Sequence, residues 1–132
     1  MSANRILVHE IEVEDTPGAV QELLSAIAEA GVDLHCMMAF SAGGGKGKVY
    51  LGAKDASDFE SWAADAGVSA RAMAGFTVGG EDEIGAAAAA LKGLADAGIN
   101  GVAGAAMVCD GGYHMGIVVD AADGDAAEAA LG

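Results

Sequence analysis

Residues 28–34, AEAGVDL, return at 95–101 as ADAGING, a shift of 67 positions. Carried backwards without a gap, the same shift sets Gly18 on Gly85, Asp15 on Asp82, Glu14 on Glu81, and Leu24 and Ile27 on Leu91 and Leu94. Two loops and two apolar helical stripes superpose. A chain of 132 residues that writes one pattern twice is expected to build two modules of about 65 residues each, not one larger irregular core.

Within the first copy the apolar period changes in a fixed order. Residues 6–13, ILVHEIEV, are β-branched and partly alternating, as in a strand with one wet face. From Pro17 onward, Val20, Leu23, Leu24 and Ile27 follow helical spacing, and Gly31 can close that helix in a left-handed cap. VDLHCMMAF (32–40) is strand-like, GGGKG (43–47) makes a turn, and a strand continues to Lys54 with Lys48, Tyr50 and Lys54 alternating. Cross-strand charge pairing should set Lys48 and Lys54 near Glu10 or Glu12. DASDFESWAADAG (55–67) is a second, capped helix, and VSARAM (68–73) can return to the sheet. The second copy repeats the order through a strand at 73–78, a helix at 84–97, strands at 99–109 and 113–119 and a helix at 123–131, and stops there. The predicted fold is α+β, with two tandem ferredoxin-like (βαββαβ) units at residues 1–72 and 73–132, the second lacking its last strand.

The stretch EDTPG (14–18) joins the first strand to the first helix and holds the chain's one proline. Pro17 suits the first turn of a helix, and Thr16 or Asp15 can cap it. Gly18 leaves the backbone bare beside the free N–H groups of that turn, where a small polar group could approach. A helix start and a binding loop both fit these residues.

A strand followed by DTPGAV, two leucines, and AGVDL resembles the ACT domain, a small amino-acid-sensing regulatory module of β-α-β-β-α-β order. The resemblance spans nearly the whole chain twice and is weaker in the second copy, where Ile84 replaces proline and the helix is mostly alanine. It implies an amino-acid ligand held at an interface between paired domains by the loop after the first strand and by a polar residue early in the second strand. By position these roles fall on Asp15, Thr16, Gly18 and Asp33, and in the second copy on Asp82, Gly85 and Asn100. The family commonly carries asparagine where Asp15, Asp33 and Asp82 stand. The function implied is that of a regulatory or sensor protein without catalysis of its own, and the alternative is an interaction scaffold of the same fold that has lost its ligand. A homodimer is the expected partner state. The open edge left by the missing strand and the smooth Ala86–Ala90 helix face both call for cover.

Twenty acidic against six basic residues give a formal charge of −14, which argues against nucleic acid and anionic membranes as partners. A solvated acidic face and adaptation to salt both account for that surface. Glu10, Glu12, Glu14 and Asp15 interrupt the region where a secretory signal needs an apolar run, and two cysteines make no disulfide framework, so a reduced, cytoplasmic setting is expected. In HCMM (35–38), His35 and Met37 point to one strand face and Cys36 and Met38 to the other, so they cannot converge on one ion. GGGKGK lacks the Ser or Thr and the following helix of a phosphate loop. His9, His35 and His114 all fall in strands, and no nucleophile has a base assigned. No catalytic residue, metal or cofactor is expected.

Overall fold

The helix of each repeat is bracketed by glycines in the left-handed region: Gly18 (φ 88°) and Gly31 (φ 76°) in the first copy, Gly85 (φ 85°) and Gly98 (φ 72°) in the second. The computed structural model describes residues 2–132. Its elements are β1 (Ser2–Glu14), α1 (Ala19–Glu29), β2 (Leu34–Gly43), β3 (Lys46–Ala53), α2 (Ala56–Ala66), β4 (Arg71–Glu81), α3 (Ala86–Asp96), β5 (Ala103–Cys109), β6 (Gly112–Asp120) and α4 (Gly124–Leu131). The helix ends explain the repeated AGV and AGI. Gly31 N–H donates to Ala28 O (2.9 Å) and Val32 N–H to Ile27 O (3.2 Å), while Gly98 donates to Ala95 O (3.0 Å) and Ile99 to Leu94 O (2.9 Å). This is the paired bonding of a Schellman cap, completed in both copies by apolar residues that are buried on either side of the glycine.

The chain divides into two compact units. Leu7–Ala72 forms one of them, with strands in the order β2-β3-β1, all antiparallel. Ile11, Val49 and Leu51 from the sheet meet Ile27 of α1 and Phe59 and Ala63 of α2 in its core. Asp55 caps α2, accepting from the N–H groups of Ser57 and Asp58. The opposite face is polar: Tyr50 donates to Glu10 at 2.6 Å, and Lys48 reaches Glu10 at 3.3 Å and Glu12 at 3.6 Å, so the expected pairing holds for Lys48. Lys54 departs from it. Pairing of Leu34 with Ala53 brings the next residues on each strand together, and Lys54 binds Asp33 at 2.8 Å instead.

The other unit comprises Met73–Gly132 together with the chain up to Ile6. Its strands run β4-β6-β5, again antiparallel, and Ala74, Phe76, Val78, Ile117 and Val119 pack against Ala90 and Leu94 of α3 and Ala127 of α4. α3 and α4 approach so closely that a Cβ on Gly93 would stand 2.8 Å from the Ala130 carbonyl oxygen. Among the described residues α4 is the last element of this unit, and the strand position beside β4 is taken by the segment up to Ile6. β1 is the hydrogen-bonded neighbour of β4, Ala3 packs on this core, and Arg5 binds Asp125 (2.8 Å) and Glu128 (2.9 Å) of α4. The separate segments expected at 68–73 and 73–78 are one strand, β4.

In the Leu7–Ala72 unit His9 is a buried polar residue, 3% exposed, its ring 4.7 Å from that of Phe59. Its Nε2 lies 3.3 Å from Glu60, and its Nδ1 has no partner among the described residues. Burial pushes its pKa below the usual histidine value and outweighs the attraction of Glu60. A folded-state pKa below the unfolded 6.5 means the unfolded chain takes the proton first, so stability present above pH 6.5 is lost as pH falls. Glu10, Asp33 and Asp55 are also shifted, but downward from carboxylate values, so their losses begin only below about pH 4.5. Urea unfolding from pH 7 to pH 5 should therefore show a falling stability that His9→Leu removes; an equal slope in the variant would assign it elsewhere.

Candidate functional site

Thr16, Pro17, Gly18 and Ala19 form a tight turn closed by Ala19 N–H donating to the Thr16 carbonyl at 3.2 Å. With proline second and Gly18 third at φ 88°, ψ −11°, this is a type II turn, whose third position excludes ordinary side chains. The sequence expectation for this junction is corrected in two respects. Pro17 lies outside α1, and neither Thr16 nor Asp15 caps it: Gly18 is the N-cap, and no side chain bonds the helix end. Turn geometry overrides capping because a residue at Asp15 or Thr16 is too far back to reach the second and third helical N–H groups once Gly18 turns the chain.

The second copy builds the same turn. Ala86 donates to the Glu83 carbonyl at 3.3 Å, with Gly85 at φ 85°, ψ 8° and Ile84 in the proline's place. In each copy the glycine carbonyl then accepts the first helical bond, from Glu22 and from Ala89, both at 2.9 Å. The N–H groups between, those of Val20 and Gln21 and of Ala87 and Ala88, have no helical or side-chain acceptor among the described residues. No atom within 4 Å would meet a Cβ on Gly18 or Gly85, so the space over both turns is open.

The first loop has a seat that the sequence reading did not identify as part of the site. Asp15 N–H donates to Gly45 O at 3.0 Å, in the turn between β2 and β3, and Lys46 binds Glu14 at 2.6 Å alongside. This seat follows from register: Glu14 pairs with Lys46, and the next residues, Asp15 and Gly45, extend the ladder by one bond. Asp15, Thr16, Gly18, Asp33, Asp82, Gly85 and Asn100 are all exposed. Thr16 and Gly18 share one turn with Asp15 directly before it, and Asp82 and Gly85 share one loop. The contacts of Asp33 run to Lys54, which holds its carboxyl below the usual aspartate value, and not to the loop. An open groove on the same unit is lined by Val32, Asp58, Trp62 and Asp65 and by none of these residues, although Asp33 directly follows Val32. Among the described residues no cluster of three metal-ligating side chains occurs, and no helix is long and apolar enough to cross a membrane.

No protein-family model and no curated protein matches the chain. Solved structures do. A Bacteroides thetaiotaomicron protein superposes with a TM-score of 0.74 at 15% identity, covering 98% of this chain and 88% of its own. The ligand-free regulatory subunit of aspartate kinase from Thermus thermophilus superposes at 0.64 with 17% identity, covering 98% of this chain and 93% of that one. The fold is that of a tandem ACT-like protein. An aspartate kinase from Clostridium acetobutylicum superposes with 98% of this chain over 33% of its own, at a TM-score of 0.62 and 15% identity.

The two turns differ at their first two positions, Thr16 against Glu83 and Pro17 against Ile84, and Ile84 is fully exposed. Proline at the second position of a type II turn restricts the unfolded chain without straining the folded one. Ile84→Pro should raise stability by about 0.4–1 kcal/mol in urea titration. A loss of stability would show that the second turn is not the equal of the first.

Proposed function

We propose that the protein is a regulatory or sensor protein that binds a small amino acid through its ACT-like units and has no catalysis of its own. The observation that carries this reading is the repeated uncapped helix start: a left-handed glycine, open space above it, and two adjacent N–H groups without acceptors. Such an end offers partial positive charge and bare donors to a carboxylate. The likeness to a regulatory subunit over nearly the full length of both chains supports the regulatory role. In this reading the chain works as a homodimer and signals through conformation or association.

The first loop is the better organised of the two. Pro17 fixes its turn and Gly45 anchors its entry, so less freedom is lost when a ligand binds, whereas Gly79 and Gly80 precede the second loop. Asp15 and Asp33 supply the negative charge that an α-ammonium group needs. Because Lys54 already holds Asp33, a ligand ammonium has to compete for that carboxylate.

A thermal-shift panel of the common amino acids at millimolar concentration should find at least one that raises the melting temperature, since a ligand that binds only the folded state stabilises it. Gly18→Val should abolish that shift, while Gly85→Val, which strains an equivalent turn by about 1–2 kcal/mol, should keep it. A flat panel would favour the interaction scaffold that has lost its ligand. Loss through Gly85→Val alone would move the site to the second loop and Asn100.

A further inference from the structure

The helices of the two units treat their carboxylates differently. On α3 and α4, Asp96 binds Lys92 at 2.6 Å, and Asp125 and Glu128 bind Arg5 at 2.8 and 2.9 Å. On α1 and α2, Glu22, Glu29, Asp58, Glu60 and Asp65 stand without a lysine or arginine in either helix. Among the described residues none of these carboxylates has a cationic partner except Glu60, whose neighbour His9 is kept neutral by burial. The chain's one tryptophan lies in the middle of this charge. Asp58, Ser61, Trp62 and Asp65 recur at helical spacing and so share one face of α2, where they form a wall of the open groove that Ala30 and Val32 line from beyond the end of α1. Its volume, about 560 Å³, is in the usual range of binding clefts. Buried Phe59 braces the indole, with ring centroids 5.8 Å apart, and Trp62 itself stays partly exposed.

We propose that this groove docks a basic segment of another protein, with an arginine side chain over Trp62 between the carboxylates of Asp58 and Asp65. Asp58 lies one turn before Trp62 and Asp65 one turn after, so a cation on the ring has an acidic residue on either side along the helix. A guanidinium stacks on an indole and is more weakly hydrated than an ammonium, which suits a wall that is part aromatic and part carboxylate. A protein segment fits better than a small free cation. The acidic face runs for roughly 10 Å along α2, longer than one cationic head, and the indole N–H has no acceptor among the described residues and can take a main-chain carbonyl. The formal charge of −14 draws a basic partner in from a distance. The groove shares no residue with the turns at Gly18 and Gly85, so this site is separate from the amino-acid reading.

Because Trp62 is the chain's one tryptophan, its fluorescence reads the groove directly. A peptide of alternating glycine and arginine, capped at both ends and added to the intact protein at low salt, should change that emission saturably, and the same peptide with citrulline for arginine should not. Asp58→Asn with Asp65→Asn, both at exposed positions, should weaken the arginine peptide about tenfold. Asp110→Asn with Asp123→Asn removes the same charge from the other unit and should leave binding nearly unchanged. No saturable change with the arginine peptide overturns the proposal. So does equal weakening by the two double variants, which would mean attraction to the whole acidic surface, and so does equal binding of methylguanidinium, which would mean a small cation in place of a protein segment. The capped peptide has no free α-ammonium or α-carboxylate, so none of these results bears on the amino-acid panel.

Discussion

Four backbone positions that favour glycine set the geometry of both units. Gly18 and Gly85 reverse the chain into a helix, and Gly31 and Gly98 reverse it out again, all at φ between 72° and 88°. An L side chain at any of them costs about 1–2 kcal/mol. Entry and exit being fixed, Val32 and Ile99 land against Ile27 and Leu94, and the strand that follows starts in register with its neighbour. The entry turn has a second consequence. It sets glycine at the cap position, where no side chain can satisfy the helix end, so the donors that another helix would spend on its own cap are left facing outward.

The cores beneath these turns are thin. Aromatic residues make up 5% of the chain, and α3 contributes mostly alanine, which lets α3 and α4 close to near backbone contact at Gly93 and Ala130. Stability in such a core depends on small terms: the Asp55 cap, the Glu10–Tyr50–Lys48 cluster, and the Arg5 pairs that tie the start of the chain to α4. The exposed pairs contribute little individually in water. Arg5 has a topological role as well, because it holds residues from the start of β1 on a unit whose other residues begin at Met73.

Much of this was legible in the sequence. The shift of 67 positions gave the duplicated order, and the change of period from alternation to helical spacing gave β1, α1, α2 and α3 to within a few residues. The Gly31 cap could be read because it needs one residue type at one place. The cap at Thr16 or Asp15 was misread because both residues are good caps locally, and a type II turn two residues later decides the matter. The filling of the second unit's strand position by the chain's opening could not be read, since nothing local in Ala3 or Arg5 names a partner more than 60 residues away. For the site, Gly18 and Gly85 were legible from motif and repeat, whereas the capture of Asp33 by Lys54 depended on a cross-strand register.

The central claim is that the bare N–H groups behind Gly18 receive a ligand carboxylate. Amide nitrogen–proton NMR spectra of the isotope-labelled protein, recorded during titration with the amino acid that stabilises it, test this most directly. The account predicts that the largest shifts fall on the amides of Val20 and Gln21, downfield as each gains an acceptor, with smaller changes at Ala87 and Ala88. Saturable shifts centred on other residues, with Val20 and Gln21 unmoved, would contradict it.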